Sequence, residues 1–496
     1  MLNNAPPCFL YSLSRMNVTS QTSSPLEGVQ TQASVYRVLG WCLTSLFTTC
    51  MLLLVHFSAL NDAASRFVVI FSAALGMWVF RLVPESVPAI FVLCATMVLN
   101  TGPSTTMLSG FMSDSFFLAS SLFAIGCVMV KSRLLHRVSL LLLCRVRLGQ
   151  RGLQLLLFGT GLLTTPLVSV QSSRVALMAP LLDSLLESGR IAPRSPAANA
   201  MACSAFQGCI LFSTVFLTGK SSNTILYAMM TLHTHVEFGM VRWLAAALVP
   251  GVLMALLFWG MQWRRFGGLP SLNISRFRLV RELQTMGDVS RHEWVVLGTL
   301  VVLMAGLGAV ACWRLSGIWV CIAVFAVLLG SGAMGRQELT GRINWTFLFY
   351  LGAIIGIMRY IQDIGMEDWL FEHLKGLVPL AKARPGMFIA TVFGISWLST
   401  LVLGTLTAPA ILFTVFLPIA HQSGMGLWVV AFVILTATEA WIFPWQSTYF
   451  LCFEHLLSRN QRVDMRPLLS MNLWMVPGKL AILLASLPYW RWLGEL

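Results

Sequence analysis

The sequence predicts an all-α polytopic membrane protein, with about 11 transmembrane helices and two re-entrant helical hairpins in two inverted repeats. Three observations lead there. Of 496 residues, 57% are hydrophobic and only 10% are charged, against about 25% charged in an ordinary soluble domain. Many windows reach the ~20 apolar residues that a spanning helix needs. The Lys and Arg behind the net charge of +14 gather in the connections between apolar segments, as they do in cytoplasmic loops. That distribution argues against a nucleic-acid surface. The 11 cysteines are scattered, with no Cys-x-x-Cys pair, and read as small core residues.

Residues 1–34 are polar and rich in Ser, Thr and Gln, which predicts a disordered N-terminal tail. No charged stretch, apolar core and small-residue cleavage site follow one another there, so a cleaved signal peptide is not expected. Residues 35–65 carry the first transmembrane helix. The first repeat is expected over 66–262, with a hairpin at 153–182 and an interrupted helix at 198–230. Residues 263–292 carry many Arg and read as a cytoplasmic linker. The second repeat follows over 293–496, with a hairpin at 386–420 and an interrupted helix at 425–455.

Each hairpin stretch is too long for one span, too short for two, and broken near its middle, by "TTPLVSVQSS" and by "LSTLVLGTLTAP". Irregular backbone at membrane depth persists only where it is buried in protein or lines a cavity. Putting every strongly basic connection on one face makes the N-terminus cytoplasmic and the C-terminus external, in the cell (inner) membrane. One contrary stretch, "HLKGLVPLAKARPG", reads as an interfacial amphipathic helix. The halves mirror each other: a span ending in mixed charge, a re-entrant stretch ending in Pro, then an interrupted span. Transporters use this plan, with substrate bound near the midplane where broken helices meet.

An anion entering such a cavity exchanges its hydration for donors. Gln171, Ser172, Ser173, Ser222, Asn223, Thr224, Thr405, Thr407, Gln446 and Ser447 stand at predicted helix breaks in both halves. Hydroxyls, amides and half-helix N-termini supply such donors. For the hydroxyls, helix–helix hydrogen bonding is an equal alternative. Lys220, in "TGKSSNTILYAMM", lies between two apolar flanks, and ionisable residues at that depth are functional by default. A salt-bridged structural lysine is the other reading. Glu439, in "ILTATEAWIF", is the best-placed acid in an apolar run, as a partner of Lys220 or Arg174 or as a proton relay. His-x-His at 233–235 is a weak metal signal.

The order of these motifs resembles the divalent anion:sodium symporter family of the ion transporter superfamily, over residues ~66–496 by the span lengths. The resemblance implies a secondary active transporter of small di- or trivalent anions (dicarboxylate, citrate or sulfate) with an elevator-type motion. It also implies a homodimer in the lipid bilayer, two sodium sites and no other cofactor. The family's Ser-Asn-Thr hairpin tips fall on Val170, Gln171 and Ser172, and on Ala408, Pro409 and Ala410. A later threonine falls on Arg174. Its Pro-Pro-Asn loops fall on Gly219 to Asn223 and on Pro444 to Ser447. Degenerate sodium sites are thereby expected near Gln171, Ser172, Asn223, Gly404 and Thr405. Where those oxygen ligands thin out, Arg174 and Lys220 supply fixed cations suited to a carboxylate or sulfate. The expectation is substrate binding by this set with little sodium dependence, the coupling ion being sodium or a proton. The alternative is a proton-linked exporter or antiporter of an oxyanion or weak acid. No His-Glu-x-x-His or Gly-x-Ser-x-Gly is present, so enzyme activity is not expected.

Overall fold

The computed structural model describes residues 25–56, 60–132, 134, 137, 138, 140, 141, 149–233, 239–269, 276–313, 317–458 and 462–496. Helix α1 spans Pro25–His56. The first half continues with α2 (Asp62–Val79), α3 (Ser86–Val98), α4 (Ser104–Leu108) and α5 (Asp114–Ser132). Two helix pairs follow, α6 (Gln150–Thr164) with α7 (Gln171–Ser188), and α8 (Pro196–Ile210) with α9 (Ser221–His233). Helix α10 (Met240–Phe266) closes this half, and α11 (Arg276–Thr285) lies in the connection. The second half holds α12 (Arg291–Trp313), α13 (Gly317–Gly330), α14 (Arg336–Gly341), α15 (Trp345–Asp363), α16 (Met366–Leu374) and α17 (Val378–Ala383). Its two pairs are α18 (Pro385–Ser399) with α19 (Thr407–Ser423), and α20 (Leu427–Thr438) with α21 (Thr448–Ser458). Helices α22 (Arg466–Ala485) and α23 (Leu487–Trp492) end the chain. No strand occurs among the described residues.

Packing repeats between the halves. Helix α6 lies on α8, and α18 on α20. Helix α7 packs on α21 of the other half, and α19 on α9. Likewise α3 meets α15, α13 meets α5, and α10 meets α22. A short sequence echo accompanies the last pair, since "VPGVLMALL" at 249–257 and "VPGKLAILL" at 476–484 occupy matching places in α10 and α22.

Among the described residues, 6 helices are long and apolar enough to cross a bilayer unaided. The other apolar segments are shorter because the chain divides them. The exterior is apolar: on α1, Leu46 is 67% and Leu53 63% exposed. Such a surface suits lipid. This is a multi-pass membrane protein.

Three expected boundaries are corrected. Helix α1 begins at Pro25, so residues 25–34 of the expected tail are helical; Pro fits a first helical position, where no N–H partner is required. The remaining tail lies outside the described residues. Pro180 and Pro418 do not end the hairpins but sit inside α7 and α19, which run on to Ser188 and Ser423. Within the expected linker, α11 occupies Arg276–Thr285.

The basic segment after α5 is held to the second half. Lys131 pairs with Glu338 at 2.6 Å. The buried Arg137 pairs with Glu293 at 2.8 Å and donates to the carbonyls of Met286, Gly287 and Asp288.

Backbones touch where α6 crosses α8. A Cβ on Gly208 would sit 2.4 Å from the Phe158 carbonyl oxygen, and one on Gly161 would sit 2.6 Å from the Gly208 carbonyl carbon. Only glycine allows this approach. Gly208→Val is expected to cost about 1–3 kcal/mol or more by overpacking. A lowered melting temperature of the detergent-solubilised protein would register it, and an unchanged one would contradict the crossing.

Candidate functional site

Four helix breaks converge on one cavity. Between α6 and α7 the chain leaves helix at Thr165, where Pro166 lacks an amide N–H to donate. The other breaks are 211–220, 400–406 and 439–447. They enclose a cavity of about 260 Å³, below the 300–1,000 Å³ of sites for drug-sized ligands. Hairpin α6–α7 contributes Ser169 to Ser172, the α8–α9 break Lys220 to Ser222, and hairpin α18–α19 Thr400, Thr405 and Leu406. From the α20–α21 break come Thr438, Glu439, Trp441, Gln446, Thr448 and Tyr449, and α15 adds Asn344 and Phe347.

Six of the residues expected from sequence line this cavity: Gln171, Ser172, Lys220, Ser222, Thr405 and Gln446. Ser173, Arg174, Asn223, Thr224, Thr407 and Ser447 do not. The Ser173 amide donates to Val170 O at 3.1 Å, inside the first turn of α7. Asn223 and Ser447 serve the backbone. The Asn223 amide donates to Ser213 O at 2.7 Å and Phe216 O at 2.8 Å, while Ser447 Oγ accepts from the Phe450 amide at 3.1 Å. Thr224 and Thr407 are buried. Gln446 turns its carbonyl oxygen to the amides of Ile442 (2.9 Å) and Phe443 (2.8 Å), holding the turn before α21.

Arg174 is fully buried, at 0% exposure. Its Nη1 donates to Val168 O at 2.8 Å, Thr165 O at 3.3 Å and Gly219 O, and its Nη2 to Ser213 Oγ at 2.7 Å. Three carbonyl oxygens from two helix breaks thus converge on one nitrogen. The guanidinium fills the oxygen cage between these two breaks, so those oxygens are not free to hold a metal ion. Near Gly404 the surroundings are different. A Cβ on Gly404 would fall 2.2 Å from the Glu85 carboxylate, and the nearby Gln446 oxygen is already taken by two amides. The described residues hold no cluster of His, Cys, Asp and Glu fit for a metal. His235 lies outside them.

Lys220 is 6% exposed and faces Glu439 across the two halves, Nζ to Oε2 3.1 Å. It also donates to Leu435 O, in the last turn of α20, at 3.0 Å. The Gln171 amide donates to the other Glu439 oxygen and to Ser213 Oγ at 3.2 Å. Glu439 is thereby the hub of the cavity, held by Lys220 on one oxygen and Gln171 on the other.

The candidate set read from sequence omitted Lys479. It is buried in α22, and its charge acts on both Glu439 and Lys220. The signal was available: a lone lysine inside a long apolar helix, at the place where the matching "VPG" repeat of α10 has Val252.

The family profile for the sodium:sulfate symporter transmembrane region matches residues 37–448. A putative malate transporter, YflS of Bacillus subtilis (strain 168), is 22% identical over 330 residues, 65% of this chain and 69% of that protein. The inner membrane protein YbhI of Escherichia coli (strain K12) is 23% identical over 385 residues, covering 74% of this chain and 79% of its own. Among solved structures, the Alcanivorax borkumensis YdaH transporter aligns with a TM-score of 0.55 at 14% identity. That alignment covers 81% of this chain and 89% of its own, a likeness of fold. The profile match over most of the chain, together with the repeated hairpins and broken helices, makes this protein a member of the sodium:sulfate symporter (divalent anion:sodium symporter) family.

Proposed function

We propose that the chain is a secondary active transporter of a small divalent anion, a dicarboxylate or sulfate, with fixed cations in the role that sodium plays elsewhere in the family. One observation carries this reading. Seven charged side chains are buried among the described residues; Arg137 pairs with Glu293, and Glu495 with Arg242. Those remaining are Arg174, Lys220, Lys479 and Glu439. Three cations against one carboxylate leave an excess of two positive charges around a polar cavity. Uncompensated charge in a low-dielectric interior is strongly disfavoured, and a dianion balances this excess. The names of two similar proteins agree in class: a putative malate transporter and, at 27% identity over 241 residues, the chloroplastic dicarboxylate transporter 1 of Spinacia oleracea.

In this reading the hairpins and broken helices form a transport domain that moves as an elevator against a scaffold built from the early helices of each half. The halves form inverted repeats, the scaffold carries a homodimer interface, and the N-terminus is cytoplasmic with the C-terminus outside. The test is uptake of labelled succinate and sulfate into proteoliposomes. Uptake is expected to persist when choline replaces sodium on both sides. Collapse of uptake in choline would overturn the fixed-cation reading while leaving anion transport standing.

A further inference from the structure

Apart from the Asn344 amide, the charged and side-chain amide donors that a carboxylate would seek in this cavity are already engaged. Arg174 is spent on carbonyls and Ser213, and Asn223 on two carbonyls. The Gln446 amide reaches Thr400 Oγ1 at 3.4 Å. Lys220 and Gln171 line the cavity, and both hold Glu439. An anion using them competes with a carboxylate of the protein itself.

Glu439 stands at the C-cap of α20, the negative end of the helix dipole, where a carboxylate is disfavoured unless a cation compensates it. Displaced from Lys220, it would need another cation. The other ionisable groups whose charge it meets are Arg174 on α7, Tyr449 on α21 and Lys479 on α22. The nitrogens Nη1 and Nη2 of Arg174 are occupied; its Nε has no partner, but it belongs to a fully buried side chain outside the cavity lining. Lys479 stands on α22 two turns after Asn472, whose amide donates to Trp441 O in the break that carries Glu439, and it has no hydrogen bond or ion pair to any described residue.

We propose that Glu439 is a resident counter-anion with two seats: it pairs with Lys220 until the transported dianion takes over Lys220 and Gln171, and then pairs with Lys479. Lys479 is on this view a positioning residue that acts on affinity through Glu439 without touching substrate. The inference rests on this cavity being the anion site.

The experiment is a double-variant comparison of succinate KM in proteoliposomes, with succinate-induced thermal shift in detergent as a second readout. Glu439→Gln removes the competitor and is expected to lower KM about tenfold, the worth of one charge-assisted hydrogen bond. Lys479→Met removes the second seat and is expected to raise KM by a similar factor. In the Glu439→Gln background the same Lys479→Met change is expected to have no effect. A bare field effect of Lys479 on the anion, or direct contact with it, would raise KM equally in both backgrounds and overturn the proposal. So would a Glu439→Gln protein with unchanged or raised KM. Should Glu439→Gln fail to fold, Glu439→Asp, which shortens the reach to Lys220, is expected to lower KM by a smaller factor. Absence of succinate and sulfate uptake by the unaltered protein would instead sink the anion-transport reading itself.

Discussion

Replacing Arg174 with Ala is expected to lower stability by several kcal/mol, and sodium is expected to restore part of the loss. The side chain donates to three carbonyl oxygens and one hydroxyl from the breaks after α6 and α8. Each buried acceptor left without a partner costs about 1–3 kcal/mol, against a total stability of ~5–15 kcal/mol. Arg174→Lys keeps the charge and loses the fork, so an intermediate result is expected. The truncated site would expose an oxygen cage to a monatomic cation. Melting curves in sodium, potassium and choline chloride then separate two ideas. A variant stabilised by sodium alone, beside an unaltered protein indifferent to it, supports the guanidinium as the stand-in for a metal. A destabilised variant that no cation rescues means that Arg174 pins the two breaks together and replaces nothing.

The same residue marks how far the sequence could be read. The four breaks were legible because they carry chain-stopping chemistry at membrane depth: Pro166, the Ser-Ser pairs at 172–173 and 221–222, Gly404 and Pro444. Which side chain of a break meets the cavity was not legible, because the torsions inside the break decide it. Gln171 and Ser172 open α7 and line the cavity, whereas Arg174 in the same turn is wrapped in carbonyls. Residues in a sequence-adjacent donor set therefore divide between substrate-facing and backbone-capping roles, as Ser222 and Asn223 also do. Pro180 and Pro418 were misread as hairpin ends because a proline inside a helix and one after a helix look alike in sequence. The start of α1 was misplaced because a hydropathy window reports where a bilayer could sit, and the polar first turns of this helix lie beyond it. The pairing of Lys220 with Glu439 was one of the open alternatives. It joins residues 219 positions apart, from different halves, and a periodicity argument within one half cannot choose among such partners.

That pair gives the second large effect. Lys220→Met is expected to abolish anion transport and to destabilise the protein by about 3–5 kcal/mol, the cost of leaving one member of a buried ion pair alone. Glu439 would then lose the cation it rests on at the C-terminal end of α20 and be left to its second seat at Lys479, and the Leu435 carbonyl also loses its donor. Removing the other member of the pair with Glu439→Gln in the same chain is expected to recover most of the stability, since replacing both members of a buried pair is often close to neutral. Transport is expected to stay absent, because the amine that balances the anion is gone. Melting temperature and succinate uptake, measured on the single and double variants together, therefore diverge if Lys220 serves substrate. If instead uptake returns with stability in the double variant, Lys220 is a structural partner of Glu439 alone, and the cationic ligand of the anion must be sought at Arg174 or Lys479.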